Sequence, residues 1–420
     1  MADKQKVVIV GAGFGGISLA KSLRNKNVDV WLIDQNNYHN FQPLMYQVAT
    51  GGLEPDSIAY PVRRIFRKYK NVTSRMAKVH QIETEKKQLI TSIGDISYDY
   101  LVIATGSQNN YFNFEPVKDK MLSLKSIPDA LNIRSFIFQN LEKALGEINN
   151  ELLEEIINIA IVGGGPAGIE LAGALAEMKR YVLPKDFPEL DLSKMHIHLY
   201  EAAPKLLSAM SEIASIKSLE YLNKLGINVN LNAKVSSYNG SSITLADGTF
   251  FSTDTVIWTA GVKGAPIEGL PNDSIVAGNR ILVNEFNQVV NYPNIFAIGD
   301  VASHISNLNP KGLPMLASVA IQQGKHLSNN ILNLIHQKPM QTFNYKNKGT
   351  MATIGRNKAV VDLPGWKFHG YFAWLVWMLV HIMSLVGFRN KIVAMVDWIS
   401  NYFRYDRPLG LIIRPYKRPN

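Results

Sequence analysis

A short apolar strand running straight into a glycine-rich turn occurs twice in this chain, and that duplication constrains the fold more than any other feature. Val7–Val10 ends at Gly11-Ala12-Gly13-Phe14-Gly15-Gly16, and Ile17, Leu19, Ala20 and Leu23 behind it have helical spacing. Val28–Ile33 then reads as a second buried strand, and it ends in Asp34. Strand, glycine turn, helix, and a second strand closing on an acid is the order of a dinucleotide fold. Gly11 permits the tight turn, Gly13 lets backbone N–H groups approach a pyrophosphate, and Gly16 lets the helix lie close on the strand. The helix N-terminus favours the anion. Asp34, 23 positions beyond Gly11, is placed to accept ribose hydroxyls.

The second copy starts at Ile156–Val162, which leads into Gly163-Gly164-Gly165-Pro166-Ala167-Gly168 and a helix marked by Ile169, Leu171, Ala172 and Leu175. Gly163, Gly165 and Gly168 repeat the three glycine roles. The following strand, His196–Tyr200, ends in Glu201, 38 residues from Gly163. The usual separation is about 20 residues, so the proline-bearing stretch Tyr181–Asp191 is expected to be an insertion. Two fingerprints 152 residues apart predict two dinucleotides on one α/β protein with two Rossmann-like domains. Leu101–Gly106 (LVIATG) and Val256–Gly261 (VIWTAG) are paired strand-turn endings, and Ile295–Asp300 (IFAIGD) is a further strand with an aspartate past its carboxyl end. Ligands of open α/β sheets collect at that end.

Composition removes several chemistries. There is no cysteine in 420 residues, which excludes disulfide scaffolds, thiol nucleophiles, zinc-thiolate sites and iron–sulfur clusters. No metal site is expected. The net charge of +10 permits an anionic partner, but no aromatic-interleaved basic patch or recognition-helix motif appears, so nucleic acid is not expected. The polar start MADKQK and a four-residue apolar run lack a secretory signal, so the body is expected to fold in the cytosol.

The segment Leu32–Arg64 (LIDQNNYHNFQPLMYQVATGGLEPDSIAYPVRR) closely resembles that of the type II, non-proton-pumping NADH:quinone oxidoreductases, flavoproteins with two dinucleotide-binding domains. The likeness extends through GGGPAGIELAGALAE, TAGV, IFAIGDVA, LPMLASVAIQQGKH and MATIGRNKAV. The resemblance implies FAD and NADH as cofactors and a respiratory enzyme that passes a hydride from NADH to FAD and two electrons to a membrane quinone. It places Gly11–Gly16 at the FAD pyrophosphate, Asp34 at its ribose, Val79 at its adenine, and Asp300 at the ribityl–pyrophosphate region. Thr105 and Gly106 would border the flavin domain, Gln42 and Pro43 would lie near the isoalloxazine, and Ala317 beside the ring. Gly261 would line the NADH side. Glu201 would bind the adenosine ribose and repel a 2′-phosphate, favouring NADH over NADPH. Glu170 and Gln322 are implied to act in the reaction, Glu170 between nicotinamide and flavin. Glu170 also has a plainer reading as a carboxylate in the first turn of a helix. The sequence departs from the family where a glutamine commonly lines the quinone channel, here Ser318. A soluble-acceptor NADH reductase and a non-catalytic, membrane-bound nucleotide sensor are the alternatives.

The expected organisation is an FAD domain in two segments (1–115 and 287–365), an NADH domain at 116–286, and a membrane-anchoring region at 366–420. Phe368–Phe388 holds 21 residues, of which only His369, Gly370, His381, Ser384 and Gly387 are not apolar. As one helix it would measure about 31 Å, enough to cross a bilayer. Trp374 and Trp377 near its middle argue against crossing, since tryptophan prefers the headgroup boundary. A single span would also export a tail with seven Lys/Arg against two Asp. Ile392, Met395, Val396, Ile399 and Phe403 share a helical face opposed by Lys391, Asn401 and Arg404. Trp366–Arg404 is therefore expected to form two helices lying in the interface, with basic residues on anionic lipid, packing against the flavin domains or a second subunit and a true span being the alternatives. A homodimer on the cytoplasmic face of the cell membrane is the expected assembly.

Overall fold

The computed structural model describes residues 4–306, 309–404, 410–412 and 414–418, without the side chains at 401, 403 and 404. The contributions expected of Asn401, Phe403 and Arg404 lie outside the described residues. The chain divides into two compact units.

The first unit comprises Met1–Asn40, Ala59–Gln108 and Val262–Asn347. Its centre is a parallel sheet in the order Ile295–Ala297, Tyr100–Ile103, Lys6–Val10, Asp29–Asp34, Val72–Met76. Lys6–Val10 is central, and Val7, Val8 and Ile9 are wholly buried. A strand covered on both faces must be apolar at every position rather than at alternate ones. The helix Phe14–Leu23 packs against the helix Ala317–Ile335 at two small residues. A side chain at Gly324 would press on Leu19 and Ser18, and the Ser18 hydroxyl donates to the Ile321 carbonyl at 2.9 Å. Val79 opens the strand Val79–Glu83, which belongs to a separate three-stranded antiparallel sheet.

The second unit comprises Phe41–Ile58, Asn109–Gly261 and Lys348–Asn420. Its parallel sheet runs Leu122–Ser123, Thr255–Trp258, Ile159–Val162, Ile197–Tyr200, Asn228–Asn230. The strand expected from Ile156 starts later: Ile156 and Ile157 end the helix Asn150–Ile157. Asn158 makes the break, its side chain accepting the His196 N–H at 2.7 Å while its carbonyl accepts from Thr253.

The C-terminal region departs from two uninterrupted helices. Trp366–Gly370 is a strand, paired antiparallel with Ala359–Leu363 across the Pro364-Gly365 turn. Gly370, at φ +87°, redirects the chain into the helix Tyr371–Ser384. Gly387 lies in the turn to the helix Phe388–Arg404. The first of these helices has 14 residues and is about 21 Å long, short of a ~30 Å hydrocarbon core. Among the described residues no helix is long and apolar enough to cross a membrane. Phe372, Leu379, Met383, Phe388, Val396 and Ile399 are all exposed, so both helices turn apolar residues outward.

Candidate functional site

Each unit builds a phosphate cradle from the same parts. In the first, Gly11 adopts φ +110°, and a side chain there would collide with the Ala104 carbonyl. One on Gly16 would collide with the Gly11 carbonyl, whereas one on Gly13 would meet nothing within 4 Å. The turn is thus closed behind and open in front, as an approaching pyrophosphate requires. Phe14 follows as the first helical residue, and Gly15 packs against Ile298. Asp34 accepts the Ala12 N–H and the Asn36 N–H, each at 2.7 Å. Burial pushes its carboxyl up, against these two bonds. A small hollow lined by Asp34, Asn36, Arg63, Ser74 and Arg75 lies beside it.

His39 supplies an independent sign of a ligand. Its Nδ1 donates to the Ala12 carbonyl at 2.8 Å, leaving Nε2 as a buried acceptor without a partner among the described residues. Ser107 donates to Asp300 at 2.6 Å, and the Thr105 hydroxyl donates to the Ala265 carbonyl at 2.6 Å, bracing the turn at Gly106. These residues fit a dinucleotide such as FAD.

The second unit repeats the arrangement. Gly163, at φ +116°, backs onto Ala260, Gly168 closes on Gly163, and Gly165 is open. Glu201 accepts the Gly164 N–H at 2.6 Å and the Ala203 N–H at 2.7 Å, matching Asp34 bond for bond. The 38-residue separation therefore leaves the acid in the same place in space. Thr259, which sequence reasoning passed over, donates to the Val162 and Gly163 carbonyls and ties the turn at Gly261 to the fingerprint.

Glu170 lies in the helix Pro166–Tyr181, and the packing of that helix explains its burial. Gly173 lets the helix approach Gly355, whose N–H a side chain at Gly173 would meet at 2.8 Å. The strand Thr350–Thr353 is thereby brought alongside, and the Thr353 N–H donates to Glu170 at 3.4 Å. Glu170 is 8% exposed, and burial raises its carboxyl to about 8. It is therefore largely protonated at neutral pH, unlike a carboxylate answering only to the helix dipole.

A cavity of about 90 Å³ opens at Glu170. Trp374 and Trp377 of the first C-terminal helix and Trp398 and Tyr402 of the second form one wall. Their central position in an apolar run has this cause: they face inward, and Trp377 is 2% exposed. The Trp398 indole N–H donates to Gln47 at 2.7 Å, and the Gln47 amide donates to the Tyr46 hydroxyl at 2.9 Å. Glu177 and Arg356 also line the space, joined by the Arg356 backbone N–H. The Arg356 guanidinium donates to the Tyr402 carbonyl at 2.9 Å. Sequence reasoning missed Gln47, Thr353, Arg356 and Trp398. The available signal was Trp374, Trp377 and His381 recurring on one helical face.

The remaining candidates have other surroundings. Gln42 and Pro43 begin a short 3₁₀ turn, Gln42–Leu44, in the second unit. Ala317 opens the helix Ala317–Ile335 in the first. Gln322 spends both ends of its amide on the Lys346 backbone, at 2.9 and 3.1 Å. Ser318 bonds the Tyr345 hydroxyl at 3.0 Å. Gln323 accepts the Gly299 N–H and donates to Asn287, both at 2.7 Å.

Residues 5–324 match the family model described as pyridine nucleotide-disulphide oxidoreductase, and residues 347–404 match the NDH2 C-terminal domain. The chain is 34% identical to a type II NADH:quinone oxidoreductase, NdhA, of Mycobacterium tuberculosis, over 95% of this chain and 87% of that protein. It is 31% identical to the type II NADH:quinone oxidoreductase of Haemophilus influenzae, over 95% and 98% of the respective chains. The solved structure of NDH2 from Plasmodium falciparum in complex with NADH shares the fold, with a TM-score of 0.89 at 24% identity, over 98% of this chain and all of that one. With the two cradles and the aromatic-walled cavity, these matches make the chain a member of the type II NADH:quinone oxidoreductase family.

Proposed function

We propose that this protein is a membrane-associated NADH:quinone oxidoreductase that holds FAD in its first unit and NADH in its second, and does not pump protons. When bound, FAD supplies the group that takes a hydride from NADH and passes two electrons to the quinone. Gly11–Gly16, Asp34, Val79, Thr105, Gly106, Asp300 and Ala317 hold or border FAD, and the resemblance alone assigns Gln42 and Pro43 to the flavin. Gly163, Gly165, Gly168, Glu201 and Gly261 hold NADH. The negative charge of Glu201 at the ribose end disfavours a 2′-phosphate.

One observation carries the acceptor half of this reading. A protonated carboxyl, Glu170, lines a cavity whose other wall is made by helices with exposed apolar outer faces. A quinone gains two protons with its two electrons, and a buried carboxyl near neutrality is suited to hold one of them. The aromatic wall suits a flat, apolar head-group. Gln322 is assigned to the reaction on the family resemblance alone.

The outward apolar side chains of the C-terminal helices, flanked by Arg389 and Lys391, sit on anionic lipid at the cytoplasmic face of the cell membrane. The working assembly is a homodimer. Anaerobic stopped-flow tests the chemistry: NADH should bleach the flavin, and a short-chain quinone should restore it. Bleaching without reoxidation by quinone would overturn the acceptor assignment. Sedimentation with anionic against zwitterionic vesicles tests the surface, and light scattering in mild detergent tests the dimer.

A further inference from the structure

We propose that Trp377 is a positioning residue for Glu170, its indole N–H held ready to donate to the carboxylate when that group gives up its proton. The inference rests on the reading of Glu170 as the proton-holding group of the cavity. Trp377 is 2% exposed and its ring has two aromatic neighbours. His381 stacks on it with ring centroids 4.1 Å apart, and Trp398 lies 5.7 Å away. His381 is itself anchored, its Nδ1 donating to the Trp377 carbonyl at 2.7 Å. Trp377 and Glu170 line the same cavity, and among the described residues the buried indole N–H has no hydrogen-bond partner. A buried N–H without an acceptor is costly. Here that cost is relieved as the carboxyl ionises and becomes a stronger acceptor.

Among the described residues no other group at the cavity does this as directly. The helix carrying Glu170 contributes Glu177, a second acid. The strand Thr350–Thr353 contributes the Thr353 N–H, already bonded to Glu170. The turn after it contributes Arg356, which is engaged with Tyr402. The segment Met45–Ala49 contributes Tyr46 and Gln47, bonded to each other. The C-terminal helices contribute Tyr402, and His381, stacked on Trp377, is pushed down by burial to about 4, so it is neutral. Among the described residues Trp377 is thus a fixed donor without an acceptor, able to steady the charge left on Glu170 after proton transfer.

The test is an infrared titration of the intact, flavin-loaded protein. The protonated-carboxyl band of Glu170 is assigned by its disappearance in Glu170→Gln. Trp377→Phe removes the N–H, and benzothienylalanine installed at 377 removes it while keeping the size and shape of indole. In both, the titration midpoint should rise by about one pH unit, the effect of losing one hydrogen bond to a charged group. Flavin content reports whether each variant folds, and the shape-preserving replacement decides if Trp377→Phe does not. A midpoint unmoved by benzothienylalanine overturns the proposal. Full-rate quinone reduction by Glu170→Gln would instead strike the reading of Glu170, while the infrared midpoints still report on the Trp377 contact.

Discussion

Replacing Glu170 by glutamine should change stability in a way that depends on pH, and the sign follows from burial. In the folded protein the carboxyl is raised to about 8 from an ordinary 4.5. Between those values the native state holds a proton that the unfolded chain has released, so native stability falls as pH rises. The loss is about 1.4 kcal/mol per pH unit and ~5 kcal/mol over the whole interval. Below the ordinary value the contribution is fully present. Above the raised one it is gone, because the native state must ionise a buried carboxyl. Glutamine is the same size and does not titrate. A chain of 420 residues has an unfolding entropy of about 0.9 kcal/mol/K, so each pH unit corresponds to about 1.5 °C. The assay is thermal unfolding of wild-type and Glu170→Gln holoprotein in matched buffers from pH 5 to 9. The Tm of the variant minus that of wild type should climb by about 1.5 °C per unit and level off above pH 8. A difference that stays flat across the range would refute a buried, protonated Glu170. The same variant should retain FAD and turn over more slowly.

Three other outcomes follow from the geometry. Glu201→Gln removes a charge-assisted acceptor at the end of the second fingerprint, so KM for NADH should rise about tenfold with FAD content unchanged, as read by steady-state kinetics and the flavin absorbance ratio. Gly173→Ala drives a methyl against the Gly355 N–H; overpacking should destabilise the protein by about 1–3 kcal/mol in denaturant titration and loosen the strand that carries Thr353. Val396→Glu with Ile399→Glu puts two charges on an exposed apolar helix face; sedimentation with anionic vesicles should fall at least tenfold while NADH still bleaches the flavin in solution.

The parallel cores were legible because their rules are local. Val7–Val10 and Ile159–Val162 are apolar at every position, the glycines recur at fixed spacing, and an acid closes each second strand. Each acid was expected at a ribose, and its bond to the turn was not foreseen: Asp34 and Glu201 each accept one turn N–H and the N–H two residues on. Boundaries set by a single side chain were less visible. Asn158 stops a helix where an isoleucine run suggested a longer strand, and Pro364-Gly365 folds Trp366–Gly370 back as a hairpin. The cavity was hidden because its wall is assembled from segments more than 300 residues apart in sequence, as the bond between Gln47 and Trp398 illustrates. The tryptophans gave a signal, but hydropathy alone assigns a buried aromatic to lipid or to protein with equal ease.

The two C-terminal helices are double-sided, with one face open to the surroundings and the other forming the wall around Glu170. Whatever coats the outer face therefore bears on the shape of the inner one. Surfactants of different chain length should yield different apparent affinities for the same quinone, even where each leaves the flavin fully bound. Affinities meant for the native setting are best expressed as mole fraction in a lipid bilayer, because a greasy acceptor concentrates there before it meets the protein.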